Sequence, residues 1–285
     1  MRLSSYNNGG YLVDIFDDGT KIRTKVSEDK PVYPESMDVK ITNFCVGPSC
    51  QFCHEGSNID GEHSQLLDYL NIFQQLPKGA EIAIGGGNPL SHPQLDEFLQ
   101  SLKNFGLIPN ITVNQYHLDK NSIKRLQDWQ ENGMIYGVGI SYLNKADKLP
   151  LNNVVYHVIA GVHKYEVLRD LAEENVLVLG YKQLRRGATY YSRSVENKKL
   201  EWYRHIRDYL GSQRLSFDNL AIEQLRLYRF LSAEKWAELY MGNDGEFTMY
   251  LDLVNGEYAK SSTSNVRHKI TCSIKDMFGV IKNEK

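Results

Sequence analysis

Hydrophobic residues in this chain occur in short runs, separated by longer segments in which they recur every three or four positions. The runs with the length and composition of buried β-strands are 37–42, 81–86, 109–115, 135–142, 153–161 and 176–182. The segments with helical spacing between them are 63–76, 93–106, 119–132 and 164–175. Repeated strand–helix units predict a parallel sheet with helices outside it, either open or curled into a full or partial barrel. In such a fold the active site lies at the carboxyl ends of the strands.

The two ends of the chain have a different pattern. Residues 11–26 predict a β-hairpin, because an Asp-Gly pair lies between two strand-like runs, and two prolines then suggest a linker. Residues 195–213 have the spacing of a long helix. An Asn-Gly pair within 248–259 predicts a second hairpin. We therefore expect an N-terminal β-hairpin extension in 1–36, a (β/α)6 core in 37–213 and a C-terminal α+β cap with its own small sheet in 214–285.

The composition is that of an ordinary globular protein. The chain has 285 residues, a formal net charge of −2 and 24% charged residues, which argues against a protein that coats nucleic acid. No apolar stretch approaches the roughly 18 residues needed to span a bilayer, and the N-terminus lacks a secretory apolar segment. We therefore expect a cytoplasmic protein without a membrane partner, in which cysteine thiols stay reduced.

Three of the four cysteines lie close together, directly after the first predicted strand. Cys45, Cys50 and Cys53 fall within nine residues, and Cys272 is far along the chain. Such a cluster in a reducing compartment predicts a metal site. Three thiolates are an incomplete shell for a four-iron cluster, in which one iron keeps an open position. The alternatives are a structural zinc knuckle completed by His54 or His63, and a c-type haem attachment site at 50–54.

A glycine-rich turn follows the second predicted strand. It comprises Gly85, Gly86, Gly87 and Asn88 and is followed by a proline. Glycines after a strand are typical of a tight turn, and the spacing matches neither a dinucleotide-binding fingerprint nor a P-loop. The turn gains interest from its position, because it and the cysteines follow neighbouring strands and belong at the same edge of the sheet.

In this order of features the chain resembles the radical S-adenosylmethionine enzymes. The resemblance rests on a cysteine triplet with an aromatic residue before its last cysteine, then a Gly-Gly-x-Pro turn, then a polar residue after the third strand, and it covers roughly residues 37–182. Two departures stand out. The family's Cys-x3-Cys-x2-Cys triplet has one extra residue here, within 46–49, and Asn88 takes the place of the usual glutamate. An asparagine can accept a hydrogen bond from an ammonium group but brings no charge.

The resemblance implies a partial barrel of the radical S-adenosylmethionine type and a mechanism. Cys45, Cys50 and Cys53 would hold a [4Fe–4S] cluster that reduces S-adenosylmethionine. The resulting 5′-deoxyadenosyl radical would abstract hydrogen from a substrate. A reducing partner such as flavodoxin or ferredoxin would supply the electron. The residues that the resemblance assigns to S-adenosylmethionine are those of the turn, Gly85, Gly86, Gly87 and Asn88, together with Asn114, Ser141 and Tyr181. Cys272 is interpreted as an ordinary thiol, with a hydrogen-donor role as the alternative.

A basic segment suggests where the substrate would bind. Residues 180–214 carry an excess of six positive charges with interleaved tyrosines, and Lys182, Arg185 and Arg186 come just after the sixth predicted strand. Those three cations would clamp an anionic or nucleotide-like substrate, and a peptide or protein side chain is the other interpretation. Two further hypotheses remain open: a zinc-stapled module that recognises nucleic acid through 180–214, and an iron–sulfur protein that no longer turns over S-adenosylmethionine.

Overall fold

The computed structural model describes residues 1–47, 50–144 and 149–284. Its strands are β1 (Arg2–Asn8), β2 (Tyr11–Phe16), β3 (Lys21–Lys25), β4 (Ser36–Thr42), β5 (Glu81–Gly86), β6 (Ile108–Asn114), β7 (Gly137–Ser141), β8 (Val154–Ile159), β9 (Asn175–Leu179), β10 (Leu215–Phe217), β11 (Thr248–Asp252), β12 (Glu257–Ala259) and β13 (His268–Lys269). Its α-helices are α1 (Leu70–Phe73), α2 (Leu95–Asn104), α3 (Lys120–Glu131), α4 (Val167–Asp170), α5 (Arg186–Tyr190), α6 (Arg193–His205), α7 (Asn219–Gln224), α8 (Ala233–Leu239) and α9 (Ile274–Asn283).

The described strands form two sheets. The larger has the order β10-β9-β8-β7-β6-β5-β4-β11-β12-β13, and the strands from β10 to β11 are parallel. It stays open, because β10 and β13 lie at opposite ends of the order. The α/β partial barrel expected from the sequence is confirmed, and the six predicted strands correspond to β4 through β9.

The two faces of this sheet differ in chemistry. Side chains on one face of the strands, such as Ile41, Ile84, Val113 and Ile140, are completely or almost completely buried. They pack with the helices into the main core, which includes Phe98 of α2. On the middle strands the opposite face carries small and polar residues, among them Ala83, Asn114, Gly139 and Ser141.

The N-terminal hairpin is confirmed as part of a three-stranded antiparallel sheet, β1-β2-β3. Tyr136, which follows α3, donates a hydrogen bond to the carbonyl oxygen of Asp17 at the β2–β3 turn. Lys21 pairs with Glu81 at the amino end of β5. This sheet therefore covers the amino ends of the barrel strands, on the side away from the cysteine loop.

The prediction that the C-terminal segment has its own small sheet is wrong. The hairpin forms as expected from β11 and β12, but β11 pairs in parallel with β4 and thereby extends the main sheet. The reason is that the Asn-Gly turn reports only the local antiparallel pair, whereas the partner of β11 is about two hundred residues away in sequence. In the described parts of the chain no helix has the length and apolar character required to cross a membrane.

Candidate active site at the carboxyl edge of the sheet

The cysteine loop leaves β4 at the carboxyl edge of the sheet and is held by main-chain hydrogen bonds. Cys45 donates its N–H to the carbonyl of Asn58 at 2.8 Å, and Cys53 donates to the carbonyl of Cys50 at 3.1 Å. Pro48 and Ser49, which carry part of the predicted extra length of this loop, lie outside the described residues. The main-chain hydrogen bond between Cys45 and Asn58 thus joins the two ends of the loop.

The three thiols influence one another electrostatically. Burial raises the pKa of Cys45 and of Cys50, and the neighbouring thiols raise both further, whereas the positive charge of Arg186 lowers them. Within the described residues no three His, Cys, Asp or Glu side chains are placed to share one metal ion. Cysteine thiolates are the donors that hold a [4Fe–4S] cluster, and these three residues supply that kind of donor.

The glycine-rich turn packs directly against this loop. Gly87 donates its N–H to the carbonyl of Thr42 at 2.8 Å, and Asn88 donates to the carbonyl of Phe44 at 2.7 Å. A Cβ on Gly87 would lie 2.2 Å from the Phe44 oxygen, and one on Gly86 would lie 2.4 Å from the Thr42 oxygen. Gly86 also has a φ of 121°. These two glycines are therefore required for the close approach of the turn to the cysteine loop.

The side chain of Asn88 is buried at this junction. It is 7% exposed, and no donor in the described parts of the chain reaches its Oδ1 atom. Its main-chain carbonyl accepts hydrogen bonds from the N–H and hydroxyl of Ser91, which fixes the turn. A buried amide oxygen without a donor is unfavourable by about 1–3 kcal/mol, so this atom marks a place where a ligand donor would be stabilised.

Three polar side chains lie in register across neighbouring strands beside the turn. Asn114 ends β6 and is paired with Ser141 of β7, which is paired in turn with His157 of β8. Asn114 and Ser141 were expected here from the sequence, and His157 was missed because a lone histidine in an apolar strand carries no motif. Burial and, secondarily, the charge of Lys182 lower the pKa of His157 to about 4, so its imidazole is neutral at physiological pH.

His117 is a second histidine that sequence reasoning missed. It follows β6 in a short 3-10 turn, Gln115–His117, and its Nε2 lies 3.5 Å from the Sγ of Cys45. His117 also lines a cleft of about 470 Å³ together with Val46, Asn88 and Arg125. The cleft therefore borders both the cysteine loop and the glycine-rich turn.

The three cations predicted to bind an anionic substrate all have partners within the protein. Arg186 donates from Nε to the carbonyl of Cys50 at 3.1 Å and from Nη2 to the carbonyl of Ser57 at 2.8 Å. Arg185 donates to the carbonyl of Glu55, and Lys182 donates to the hydroxyl of Ser262 at 2.8 Å. The two arginines thus fasten the cysteine loop to the segment after β9.

A buried ion network lies beneath the same loop. Lys40, which is 2% exposed on β4, lies 2.9 Å from Glu55 and 3.1 Å from Asp252 of β11. Glu55 is also 3.2 Å from His54 and 3.5 Å from Arg185. Burial would raise the pKa of Glu55, but the hydrogen bond and charge of His54 together with Lys40 hold it well below the ordinary glutamate range.

The remaining predicted residues have structural surroundings. Tyr181 is buried, and its hydroxyl donates to the carbonyl of Gly187 at 2.6 Å. It lines a small cavity of about 40 Å³ at the mouth of the sheet, together with Phe52 and Lys182. Cys272 is exposed, and its carbonyl accepts a hydrogen bond from Gln75. A role for Cys272 as hydrogen donor remains a prediction.

The structure does not favour the zinc alternative. His54 is paired with Glu55, and His63 lies 2.9 Å from the hydroxyl of Thr42, so both histidines proposed as a fourth ligand are engaged elsewhere. On α6, Lys199 pairs with Glu196 and Arg204 pairs with Glu201. Two of the basic side chains of 180–214 are therefore paired with acidic residues of the same helix.

No protein-family model matches the chain, and no curated protein matches it either. Among solved structures, it is similar to Streptococcus suis SuiB bound to S-adenosylmethionine, with a TM-score of 0.55 and 14% identity over 84% of this chain and 64% of that one. It is also similar to SuiB bound to the precursor peptide SuiA, with a TM-score of 0.54 and 13% identity over 84% and 63%. A third structure, anSMEcpe with bound AdoMet and the Cp18Cys peptide, has a TM-score of 0.51 and 13% identity over 88% and 80%.

The similarity concerns the fold. The chain spans less than two thirds of the length of SuiB, at 64%. SuiB and anSMEcpe are radical S-adenosylmethionine enzymes. The parallel sheet, the cysteine loop after its first barrel strand and the glycine-rich turn after the next occur here in the order that the sequence resemblance required. The chain therefore has the fold of the radical S-adenosylmethionine enzymes.

Proposed function

We propose that this chain is a radical S-adenosylmethionine enzyme that modifies a peptide or protein side chain. Cys45, Cys50 and Cys53 would hold a [4Fe–4S] cluster, and the turn at 85–88 would receive the methionine ammonium of S-adenosylmethionine. When bound, the two groups supply reductive cleavage of S-adenosylmethionine to a 5′-deoxyadenosyl radical that abstracts hydrogen from the substrate. The protein contributes binding, orientation and exclusion of water.

The observation that carries this proposal is the buried Oδ1 of Asn88, which has no donor among the described residues. It lies in the turn that donates two main-chain hydrogen bonds to the residues just before Cys45. An ammonium group presents three N–H donors, and an amide oxygen has two lone pairs, so one ammonium would satisfy this atom. Asparagine would thus replace the hydrogen bond of the family's glutamate without its charge.

Two members of the polar row beside the turn, Ser141 and His157, would face the rest of the cofactor. Ser141 and the neutral imidazole of His157 lie in register on the partly exposed face, and both can accept or donate a hydrogen bond to a ribose hydroxyl. The glycines of β7 keep this face open, since a Cβ on Gly139 would lie 2.6 Å from the His157 ring. Tyr181 is expected to border the adenine.

A peptide is the substrate class that these observations favour over an anionic small molecule. Lys182, Arg185 and Arg186 direct N–H donors at Ser262, at Glu55 and at the carbonyl of Cys50, so these donors hold the protein together instead of facing a substrate anion. Structures of SuiB and of anSMEcpe contain bound peptides, which supports the same class here. A flavodoxin or ferredoxin in the cytoplasm would supply the electron.

Binding and cleavage of S-adenosylmethionine test the proposal. The protein is reconstituted anaerobically with iron and sulfide, and 5′-deoxyadenosine is measured after addition of dithionite and S-adenosylmethionine. We expect 5′-deoxyadenosine from the unaltered protein and a weaker apparent affinity for S-adenosylmethionine, by about tenfold, in Asn88→Ala, since one lost hydrogen bond to a charged donor corresponds to about 1.5 kcal/mol or more.

Asn71→Ala is the matched control, because Asn71 is an exposed asparagine on α1. It should bind S-adenosylmethionine like the unaltered protein. If Asn88→Ala and Asn71→Ala form 5′-deoxyadenosine with the same apparent affinity for S-adenosylmethionine, Asn88 is not part of the binding site. Absence of 5′-deoxyadenosine from a protein that carries four irons would contradict the proposed function as a whole.

A further inference from the structure

We propose that His117 tunes the iron–sulfur cluster by donating an N–H···S hydrogen bond to the thiolate of Cys45, assisted by a weaker one from Asn114 to Cys50. This inference rests on the proposed function, since it requires the cluster. It assigns to His117 a role in setting the reduction potential, and it moves Asn114 from the predicted cofactor ligands to the surroundings of the cysteine sulfurs.

His117 is held next to Cys45 by its own segment. Asn114 Oδ1 accepts the main-chain N–H of Tyr116 at 2.9 Å and begins the 3-10 turn that ends at His117. The carbonyl of His117 then accepts the hydroxyl of Ser122 at 3.0 Å, which joins the turn to α3. The imidazole is thereby fixed from both sides of the turn, with Nε2 at 3.5 Å from Cys45 Sγ.

The direction of this hydrogen bond follows from the chemistry of a cluster ligand. A cysteine that binds iron is a thiolate and has no proton to donate. The nitrogen of His117 that faces Cys45 must then carry the proton, which selects the Nε2–H form of the neutral ring.

Asn114 presents a second donor to the same set of sulfurs. Because its Oδ1 is occupied by the N–H of Tyr116, its amide group is oriented with Nδ2 toward Cys50, at 3.9 Å from Sγ. This distance is long, so the contact contributes less than that of His117. The two donors reach different cysteines from one short segment after β6, so this segment acts on the cluster as a unit.

Hydrogen bonds to the sulfurs raise the reduction potential of an iron–sulfur cluster, because they stabilise the additional negative charge of the reduced form. The same electron must afterwards reach a bound cofactor. His117 therefore balances the ease of reducing the cluster against its strength as a reductant. Removal of the imidazole should make the cluster harder to reduce without removing any of its ligands.

A redox titration of the reconstituted full chain tests this role, with the EPR signal of the reduced cluster as the readout. The proteins are the unaltered chain, His117→Ala, His117→Gln and the control His63→Ala. His63 lies beside the same loop, 5.2 Å from the ring of Phe44, but contacts the hydroxyl of Thr42. Iron content is measured on each protein before the titration.

We expect His117→Ala to bind four irons and to show about a tenfold lower ratio of reduced to oxidised cluster at a fixed solution potential. For a one-electron couple this equals a shift of about 59 mV to lower potential. His117→Gln, which can place an amide N–H near the position of Nε2, should recover most of the shift, and His63→Ala should match the unaltered protein.

Three results would overturn the inference. An unchanged potential in iron-loaded His117→Ala would leave the proposed function standing and remove His117 from it. An effect of S-adenosylmethionine on the EPR signal of iron-loaded His117→Ala that the unaltered protein does not show would identify His117 as an iron ligand instead of a hydrogen-bond donor. Failure of the unaltered protein to assemble any cluster would contradict the proposed function first, and the inference with it.

Discussion

Lys40 should be essential for the stability of the fold, because it is the buried cation shared by two acidic side chains. Its ammonium lies 2.9 Å from Glu55 and 3.1 Å from Asp252, and these carboxylates are 13% and 7% exposed. Replacing Lys40 by methionine keeps most of the side-chain volume and leaves two buried negative charges without this partner. Breaking a buried pair in this way is destabilising by about 3–5 kcal/mol.

The assay is equilibrium urea denaturation at neutral pH, followed by tryptophan fluorescence from the buried Trp129 and Trp202. The matched control is Lys124→Met, because Lys124 pairs with Asp128 at the surface with side chains 64% and 48% exposed. Exposed pairs contribute about 0.2–1 kcal/mol, so the control should lose less than 1 kcal/mol. Adding Glu55→Gln to Lys40→Met should restore part of the loss, since it removes one of the orphaned charges.

The difference between the unaltered protein and Lys40→Met should depend on pH. The pKa of Glu55 is held below its ordinary value of 4.5, so the stability that it contributes is present above that pH and is lost as the pH falls through the lower, folded-state value. The gap between the two proteins should therefore narrow below about pH 4.5. A loss of less than 1 kcal/mol in Lys40→Met, or a gap that does not change with pH, would refute this account of the network.

Three further outcomes are expected. Cys50→Ala should lose the cluster absorbance after reconstitution, and Cys272→Ala should keep it, since Cys272 is exposed and apart from the loop. Equal iron content in the two variants would contradict the assignment of Cys50 as a ligand. Arg186→Met should reduce iron retention, because the carbonyls of Cys50 and Ser57 lose their hydrogen-bond donor. Arg193→Met, at an exposed arginine, is the control and should retain iron like the unaltered protein. Equal retention in the two variants would show that Arg186 does not hold the cysteine loop in place. The unaltered protein should lose at most about 3 kcal/mol of stability as the pH falls from 6.5 to about 4, because only the unfolded imidazole of His157 takes up a proton there. His157→Gln should not show this loss, and identical pH profiles of the two proteins would argue against a neutral buried ring.

The barrel strands were predictable because burial imposes a regular pattern on the chain. Residues such as Ile82, Ile84, Ile111 and Val113 are almost completely buried on the helix-facing side, and their recurrence marks the strands whatever their partners are. The position of β11 was not predictable in this way. Its pairing with β4 depends on contacts between segments that are distant in sequence, and the hairpin turn beside it indicates only the local pair.

The site was predictable where chemistry is concentrated in a short motif and unpredictable where it depends on proximity. The cysteine loop and the glycine-rich turn are each a short continuous stretch of sequence, so their residues could be named directly. The charge of Arg186 is visible in the sequence but the two carbonyls that it binds are not, so the sequence alone could not show that this residue anchors the cysteine loop. His117 lies 72 residues from Cys45, and only the fold brings its ring to the thiol.

The most direct test of the account is the EPR spectrum of the anaerobically reconstituted and reduced protein, recorded with and without S-adenosylmethionine alongside a measurement of iron content. We predict about four irons per chain and a reduced-cluster signal that changes when S-adenosylmethionine is added, because one iron of a cluster held by three cysteines would keep an open position. A protein that holds a single tightly bound zinc, or a four-iron cluster whose signal S-adenosylmethionine leaves unchanged, would contradict it.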